Sequence, residues 1–163
     1  MRIGIISDSH DNRANILKAV EIFRERQVKY VLHAGDIIAP FAARPFGKIE
    51  GAKFIAVFGN NDGEKLLLDS TIRSFGGEIH EDSFRGEIGG RKIFMVHQCG
   101  GIDEIAASGK FDLVICGHTH KTDIRKIGKT LLVNPGESTD WLTDKPAVVV
   151  LELDDMQAER VGL

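Results

Sequence analysis

Residues 2–11 read RIGIISDSHD, a short apolar run that breaks abruptly into polar residues. Ile3, Ile5 and Ile6 follow one another without polar alternation, which suits a strand buried on both faces, as in parallel sheets covered by helices. Asp8, Ser9, His10 and Asp11 then fall where that strand ends, and in α/β sheets ligands bind beyond the carboxyl ends of the strands. Behind them Ile16, Ala19, Val20 and Phe23 recur at helical spacing after Asn12, a capping residue type, so the chain to about Arg26 reads as an amphipathic helix. Asp11 and Asn12 are assigned to the helix start ahead of any substrate contact.

The same unit recurs downstream. Lys29–His33 closes on Ala34-Gly35-Asp36, and Lys53–Phe58 closes on Gly59-Asn60-Asn61-Asp62, with a helix expected over Leu66–Phe75. From Glu78 onward short strands dominate. Phe84–Ile88 and Lys92–Val96 flank Gly89-Gly90, and Asp123–Ile127 and Thr130–Asn134 flank Gly128-Lys129, both hairpin signals. Between them lie a short helix near Ile102–Ala107 and the strand Asp112–Cys116, which empties into Gly117-His118-Thr119-His120; Pro146–Leu153 and Gln157–Val161 form a last hairpin. A parallel αβ half joined to a hairpin-rich half predicts an α/β fold: a four-layer α-β-β-α sandwich of two mixed sheets flanked by helices, in one domain over residues 1–163.

Composition narrows the function. Apolar residues make up 42% and charged residues 28% with no single-sign run, the balance of a compact protein rather than a disordered one. A net charge of -3 provides no general attraction to nucleic acid or anionic lipid, so an anionic substrate must be held locally. No basic stripe with interleaved aromatics offers a track for long nucleic acid. No apolar run reaches the ~20 residues of a membrane span, and the first strand begins at Arg2; a cytoplasmic location is expected. Cys99 and Cys116 are too few for a disulfide framework and are expected to be reduced, Cys116 in the core and Cys99 as a loop thiol.

The chemistry-bearing residues cluster after strands: Asp8-x-His10, Asp36, Asn60, His97 and His118-x-His120. In an extended segment, side chains two apart point the same way, so D-x-H and H-x-H pairs let neighbouring loops share a metal. Imidazole, carboxylate and amide oxygen without sulfur favour divalent manganese, nickel, iron, zinc or cobalt. His33 and His80 lie outside this pattern and are read as ordinary polar residues. Gly35, Gly59 and Gly117 precede ligand candidates and are assigned backbone roles, and Trp141, the only tryptophan, is assigned to plain packing ahead of packing on a partner or covering the site mouth.

The ordered set DSHD, GD, GNND, VH and GHTH resembles the calcineurin-like metallophosphoesterase superfamily, in particular its small phosphodiesterase branch. The resemblance spans nearly the whole chain. It implies one metal on Asp8, His10, Asp36 and His120 and a second on Asp36, Asn60, His97 and His118, with Asp36, Asn60 and His97 in catalysis. It also implies direct attack by a hydroxide between two divalent ions, Mn2+ or Ni2+ foremost, on a small phosphodiester or nucleotide-like phosphoester, and a homo-oligomer. The two carboxylates leave roughly two units of positive charge on such a site, which would attract a phosphoryl group.

Three positions depart from the family pattern. Asn61 stands where many relatives carry a histidine that protonates the leaving group, and Gln98-Cys99 replaces a frequent Gly-His. General acid catalysis contributes about 10² to 10⁴ in rate, so its loss favours diesters and aryl esters over alkyl monoesters. Asp62 is expected to accept a hydrogen bond rather than act as the acid. Asn134-Pro135-Gly136-Glu137 resembles the family's NPG turn, with Glu137 either adjusting access or solvated. The alternatives are a phosphomonoesterase on the same site and a non-catalytic metal-binding interaction scaffold.

Overall fold

Strands that bury both faces need no alternation, and the sheet built from the two chain ends follows this rule. The computed structural model describes residues 1–163. Its first sheet runs β11 (Gln157–Gly162), β10 (Ala147–Glu152), β1 (Arg2–Ile6), β2 (Tyr30–His33), β3 (Lys53–Val57) and β4 (Glu78–His80). β1 to β4 are parallel, and β10 and β11 add antiparallel. The second sheet runs β5 (Ser83–Ile88), β6 (Arg91–Val96), β7 (Leu113–Ile115), β9 (Thr130–Pro135) and β8 (Thr122–Ile127). Its centre, β6-β7-β9, is parallel and both edges are antiparallel hairpin strands.

Period-two geometry divides each strand between two cores. Ile3 and Ile5 of β1, Leu32 of β2 and Ile55 and Val57 of β3 face the second sheet, where they meet Ile93, Met95, Leu113, Ile115, Leu131 and Val133. Ile6, Val31, Phe54 and Ala56 face the opposite way, onto α1 (Arg13–Glu25) and α3 (Lys65–Ser74) through Ile16, Phe23, Leu68 and Ile72. Gly4 lacks a Cβ for a packing reason: one placed there would meet the Phe23 ring at 2.6 Å. A smaller core beneath the second sheet joins Phe94, Val114 and Leu132 to Ile102 and Ala106 of α4 (Ile102–Ala107). The layers are therefore helix, sheet, sheet, helix, the expected sandwich of two mixed sheets. No helix is long and apolar enough to cross a membrane.

Two short elements were not anticipated: α2 (Pro40–Ala43) and a 3-10 turn over Arg44–Lys48, which carry the chain from β2 towards β3. They seat Ala42, Ala43 and Phe46 in the α1/α3 core. The consequence for function lies at one edge of the sandwich. β1, β2, β3, β6 and β7 all deliver their carboxyl ends there, because each belongs to a parallel set.

Candidate metal centre

The loops after those strands are tied together by their own backbones. Asp8 N–H donates to Gly35 O, His10 N–H to Asp36 O, and Gly117 N–H to His97 O, each at 3.0 Å. The β1 loop is thereby bound to the β2 loop, and the β6 loop to the β7 loop. Asn134 draws in the turn after β9: its Nδ2 donates to Gly117 O at 2.8 Å and to Thr119 Oγ1 at 3.0 Å, and its Oδ1 accepts from Gly136 N–H. Close approach explains two glycines. A Cβ on Gly35, which has φ +99°, would lie 2.6 Å from His97 Nδ1, and one on Gly59 would collide with Asp36.

Five of the predicted ligands, Asp8, His10, Asp36, His118 and His120, have φ between +37° and +65°. Non-glycine residues adopt this left-handed region uncommonly, and such strain persists where the surroundings over-determine it, often at functional sites. Here the strain turns successive side chains towards one point.

Two tight groups result. Asp8, His10 and His120 form one, and Asp8, Asp36 and His97 the other, the ligand-type atoms of each lying within 4.8 Å of one another. His120 Nε2 is 3.5 Å from Asp8 Oδ1, His10 Nε2 is 3.6 Å from Asp36 Oδ2, and His97 Nε2 is 3.4 Å from the same oxygen. Asn60 Oδ1 lies 3.0 Å from His97 Nε2, and the His118 ring sits 5.1 Å from that of His97. All seven predicted residues are thus in one place, Asp8, His10, Asp36 and His97 buried and Asn60 and His118 at the exposed rim. Asp36 Oδ2 faces imidazoles of both halves, those of His10 and His97, and Asp8 belongs to both tight groups.

The donor chemistry fits cations. Asp8 Oδ1 and His10 Nε2 are buried and lack any hydrogen-bond partner, an arrangement that costs about 1–3 kcal/mol per group when left uncompensated. His97 Nδ1 donates to Ala34 O at 2.8 Å, so its Nε2, Asn60 Oδ1 and Asp36 Oδ2 converge as acceptors that only a proton or a metal cation reconciles. Burial holds the Asp8 carboxyl above the ordinary carboxylate value, with the Ser7 hydroxyl and the His97 and His120 imidazoles opposing it. Asp36 goes the other way: burial would raise it, but hydrogen bonds from His97 and from the Asn61 amide and backbone hold it well below the usual range. His97 is correspondingly raised, Asp36 outweighing the effect of burial.

Four residues behave differently from their sequence readings. Glu137 is neither solvated nor at the entrance. It is fully buried and accepts from His120 Nδ1 at 2.9 Å, from the hydroxyls of Thr139 and Thr143 and from the backbone of Leu142 and Thr143. Burial alone would raise its pKa, yet these donors pull it down to about 2. An anionic carboxylate on Nδ1 fixes the tautomer that leaves His120 Nε2 free for a metal. Trp141 is not packed in the interior; it is 63% exposed and rests its ring 5.4 Å from that of His10. Cys99 and Cys116 are not free thiols but are joined as a disulfide: the loop after β6 lies beside the end of its parallel neighbour β7 and brings the two Cα atoms to 5.6 Å.

A fifth residue, Asp11, does not cap α1, the role its sequence reading gives it; its Oδ1 accepts from Ala39 N–H at 2.9 Å. Asp62 accepts from the backbone N–H groups of Gly59, Ile38 and Asp36 at 2.6, 2.7 and 3.2 Å. Asn12 caps α1 through Asn15 N–H. His33 is a satisfied core residue between Ser9 Oγ and Gly35 N–H, its pKa lowered by burial to about 3, and His80 sits beside Glu78 and Phe84 with its Nε2 unpartnered.

A four-layer sandwich whose parallel strand ends gather aspartate, histidine and asparagine into two adjacent ligand groups is the architecture of a metallophosphoesterase. The chain belongs to the calcineurin-like phosphoesterase superfamily, whose domain model matches residues 1–156. Phosphodiesterase MJ0936 of Methanocaldococcus jannaschii is 36% identical over 166 residues, covering 100% of this chain and 99% of that protein. The structure of an archaeal phosphodiesterase superposes with a TM-score of 0.94 at 35% identity, covering 100% of both chains. The fold alone is shared with the Escherichia coli phosphoesterase Yfce, at 17% identity and TM-score 0.71 over 99% of this chain and 98% of that one. Zinc-complexed Vps29 of Entamoeba histolytica shares it likewise, at 19% identity and TM-score 0.72 over 99% of each.

Proposed function

We propose that this protein is a phosphodiesterase acting on small phosphodiesters, with one divalent cation held by Asp8, His10, Asp36 and His120 and a second by Asp36, Asn60, His97 and His118. Bound there, the cations supply an activated water at neutral pH and Lewis-acid stabilisation of the phosphoryl oxygens. The protein's own groups do the rest. Asp36 is oriented by Asn61, whose backbone N–H donates to Oδ1 at 2.8 Å and whose Nδ2 donates to Oδ2 at 2.7 Å. Glu137 and Ala34 O hold the His120 and His97 rings in the tautomers that face inward. Manganese and nickel are the proposed metals.

The observation that carries the diester preference is Asn61. Its amide is engaged with Asp36 and cannot titrate, and Asp62 has its carboxylate occupied by three backbone donors. Neither can hand a proton to a departing alkoxide, so esters with good leaving groups are turned over best. The names of the archaeal relatives point the same way. The test is a comparison of bis(4-nitrophenyl) phosphate with an alkyl monophosphate on chelator-stripped protein resupplied with manganese or nickel. Faster diester turnover is expected, and equal or faster monoester turnover would overturn the preference.

A further inference from the structure

The candidate metal pair opens into two separate clefts, and they differ in chemistry. One, of about 350 Å³, leaves from the Asn60 and His97 side and is lined by Phe58, Gln98 and the carboxylates of Glu81 and Asp82. The other, of about 650 Å³, leaves from the His10 and Asn61 side and is walled by Trp141 and Ile38. A monoester needs one such cleft, whereas a diester has two substituents to place. The geometry points to the second cleft as a subsite for a planar heterocycle, a nucleobase-like substituent of the diester stacked on Trp141. This assignment rests on the diesterase reading for its substrate class, but the subsite itself can be tested without turnover.

Three observations support it. Trp141 presents an indole that is 63% exposed beside the metal-site imidazole of His10, and neither α-helical core nor sheet packing accounts for it. Exposed indole next to a phosphate-binding centre is a stacking platform, since every base has a π face. The second apolar wall, Ile38, has φ +85°, an outlier for a β-branched residue. Asp62 Oδ1 accepts from its N–H at 2.7 Å and holds it there, half-buried at the cleft. Such conformations cluster where a side chain must be presented to a ligand.

The cleft's edges supply the third. Asn12 spends Oδ1 on the α1 cap and Asn61 spends Nδ2 on Asp36, which leaves the amide donor Asn12 Nδ2 and the acceptor Asn61 Oδ1 on the same cleft, beside the Asp11 carboxylate, whose Oδ1 accepts from Ala39 N–H. A nucleobase edge offers the complementary acceptor and donor, and a plain alkyl or polyol substituent offers no plane to stack.

The experiment compares equilibrium binding of adenosine 5'-monophosphate and ribose 5-phosphate to manganese-loaded protein by calorimetry, because the two share the ribose 5-phosphate and differ at C1′, where one carries the base and the other a hydroxyl. Wild type is expected to favour the nucleotide by about 5- to 150-fold, the range that loss of base–aromatic stacking produces. Trp141→Ala should erase most of that ratio, and Trp141→Phe should keep much of it. Ile38→Gly should also shrink the ratio, without lowering the melting temperature, since glycine accepts this φ freely.

Equal affinity for the two ligands in wild type would overturn the subsite. So would a Trp141→Ala variant that weakens both equally, or one that changes only the oligomeric state, which would make this face a contact between copies. Base-selective binding through Trp141 with no diester turnover under any metal would leave the subsite standing and refute the diesterase reading; diester turnover without base selectivity would do the reverse.

Discussion

Glu137→Gln changes one atom, yet it should disable half of the metal centre. The carboxylate accepts on both oxygens: Oε2 from His120 Nδ1 at 2.9 Å and Thr139 Oγ1 at 2.6 Å, Oε1 from Thr143 N at 2.6 Å and Thr143 Oγ1 at 2.7 Å. An amide has only one accepting end. If its NH2 replaces Oε1 it meets the Thr143 N–H, a donor that cannot turn away. If it replaces Oε2 it forces His120 to accept on Nδ1, which moves the ring proton to Nε2, the atom that faces Asp8. The first outcome loosens the loop after β9 by about 1–3 kcal/mol, and the second blocks a metal ligand. Loss of such a partner typically costs 10- to 100-fold in metal affinity or activity. The assay is a manganese titration of stripped protein followed by the fluorescence of Trp141, the sole tryptophan, whose ring lies 5.4 Å from that of His10. A Glu137→Gln protein that binds both ions within twofold of wild type would refute the assigned role.

Asp36→Ala should lower metal-dependent turnover by at least ~10³-fold while leaving a folded protein by circular dichroism, since interactions with both ligand groups disappear together; retained turnover would remove Asp36 from the mechanism. Gly59→Ala should cost about 1–3 kcal/mol of stability, because the new Cβ collides with Asp36 and the backbone must shift, and a melting temperature unchanged within a degree would contradict the close approach. His33, with its folded pKa lowered to about 3, is protonated only in the unfolded chain between pH 6.5 and 3, so its contribution is fully present above pH 6.5 and drains away as pH falls. Between pH 6.5 and 5 wild type should therefore lose about 1.5 kcal/mol more than His33→Gln in denaturant melts, and parallel losses would show that His33 is not buried neutral. The Cys99–Cys116 bridge closes a loop with a sequence separation of 17, for which chain entropy gives about 3 kcal/mol, so Cys99→Ser with Cys116→Ser should melt roughly 6–12 °C lower under non-reducing conditions. Two free thiols in the unreduced, denatured wild type would contradict the bridge.

Much of this was legible in the sequence because each functional strand is parallel and buried on both faces. Such strands read as unbroken apolar runs, and the polar residues that follow them, Asp8, Asp36, Asn60 and His118, mark one edge of the sheets without knowledge of the pairing. The layers followed from the change at Glu78 from helix-linked to hairpin-linked strands. What stayed hidden has no local signature. Pro40–Ala43 and Arg44–Lys48 show no apolar period because they are one turn each, filling space over β2 and β3. The bridge between Cys99 and Cys116 depends on β6 and β7 being neighbours, which spacing along the chain does not reveal. Glu137 read as adjusting access or as solvated in the NPG turn; the one available signal was the pair of hydroxyl residues Thr139 and Thr143 that fold back onto it. The packing assignment of Trp141 failed because exposure depends on how the loop from Thr139 to Pro146 leaves β9, and that loop lacks regular structure.

The most direct measurement is anomalous diffraction from crystals grown with excess manganese. Two peaks are expected, one within reach of Asp8, His10 and His120 and one within reach of Asp36, Asn60 and His97, both absent after Asp36→Ala. No peak at either group, with the imidazoles still pointing inward, would contradict a two-metal centre in this protein.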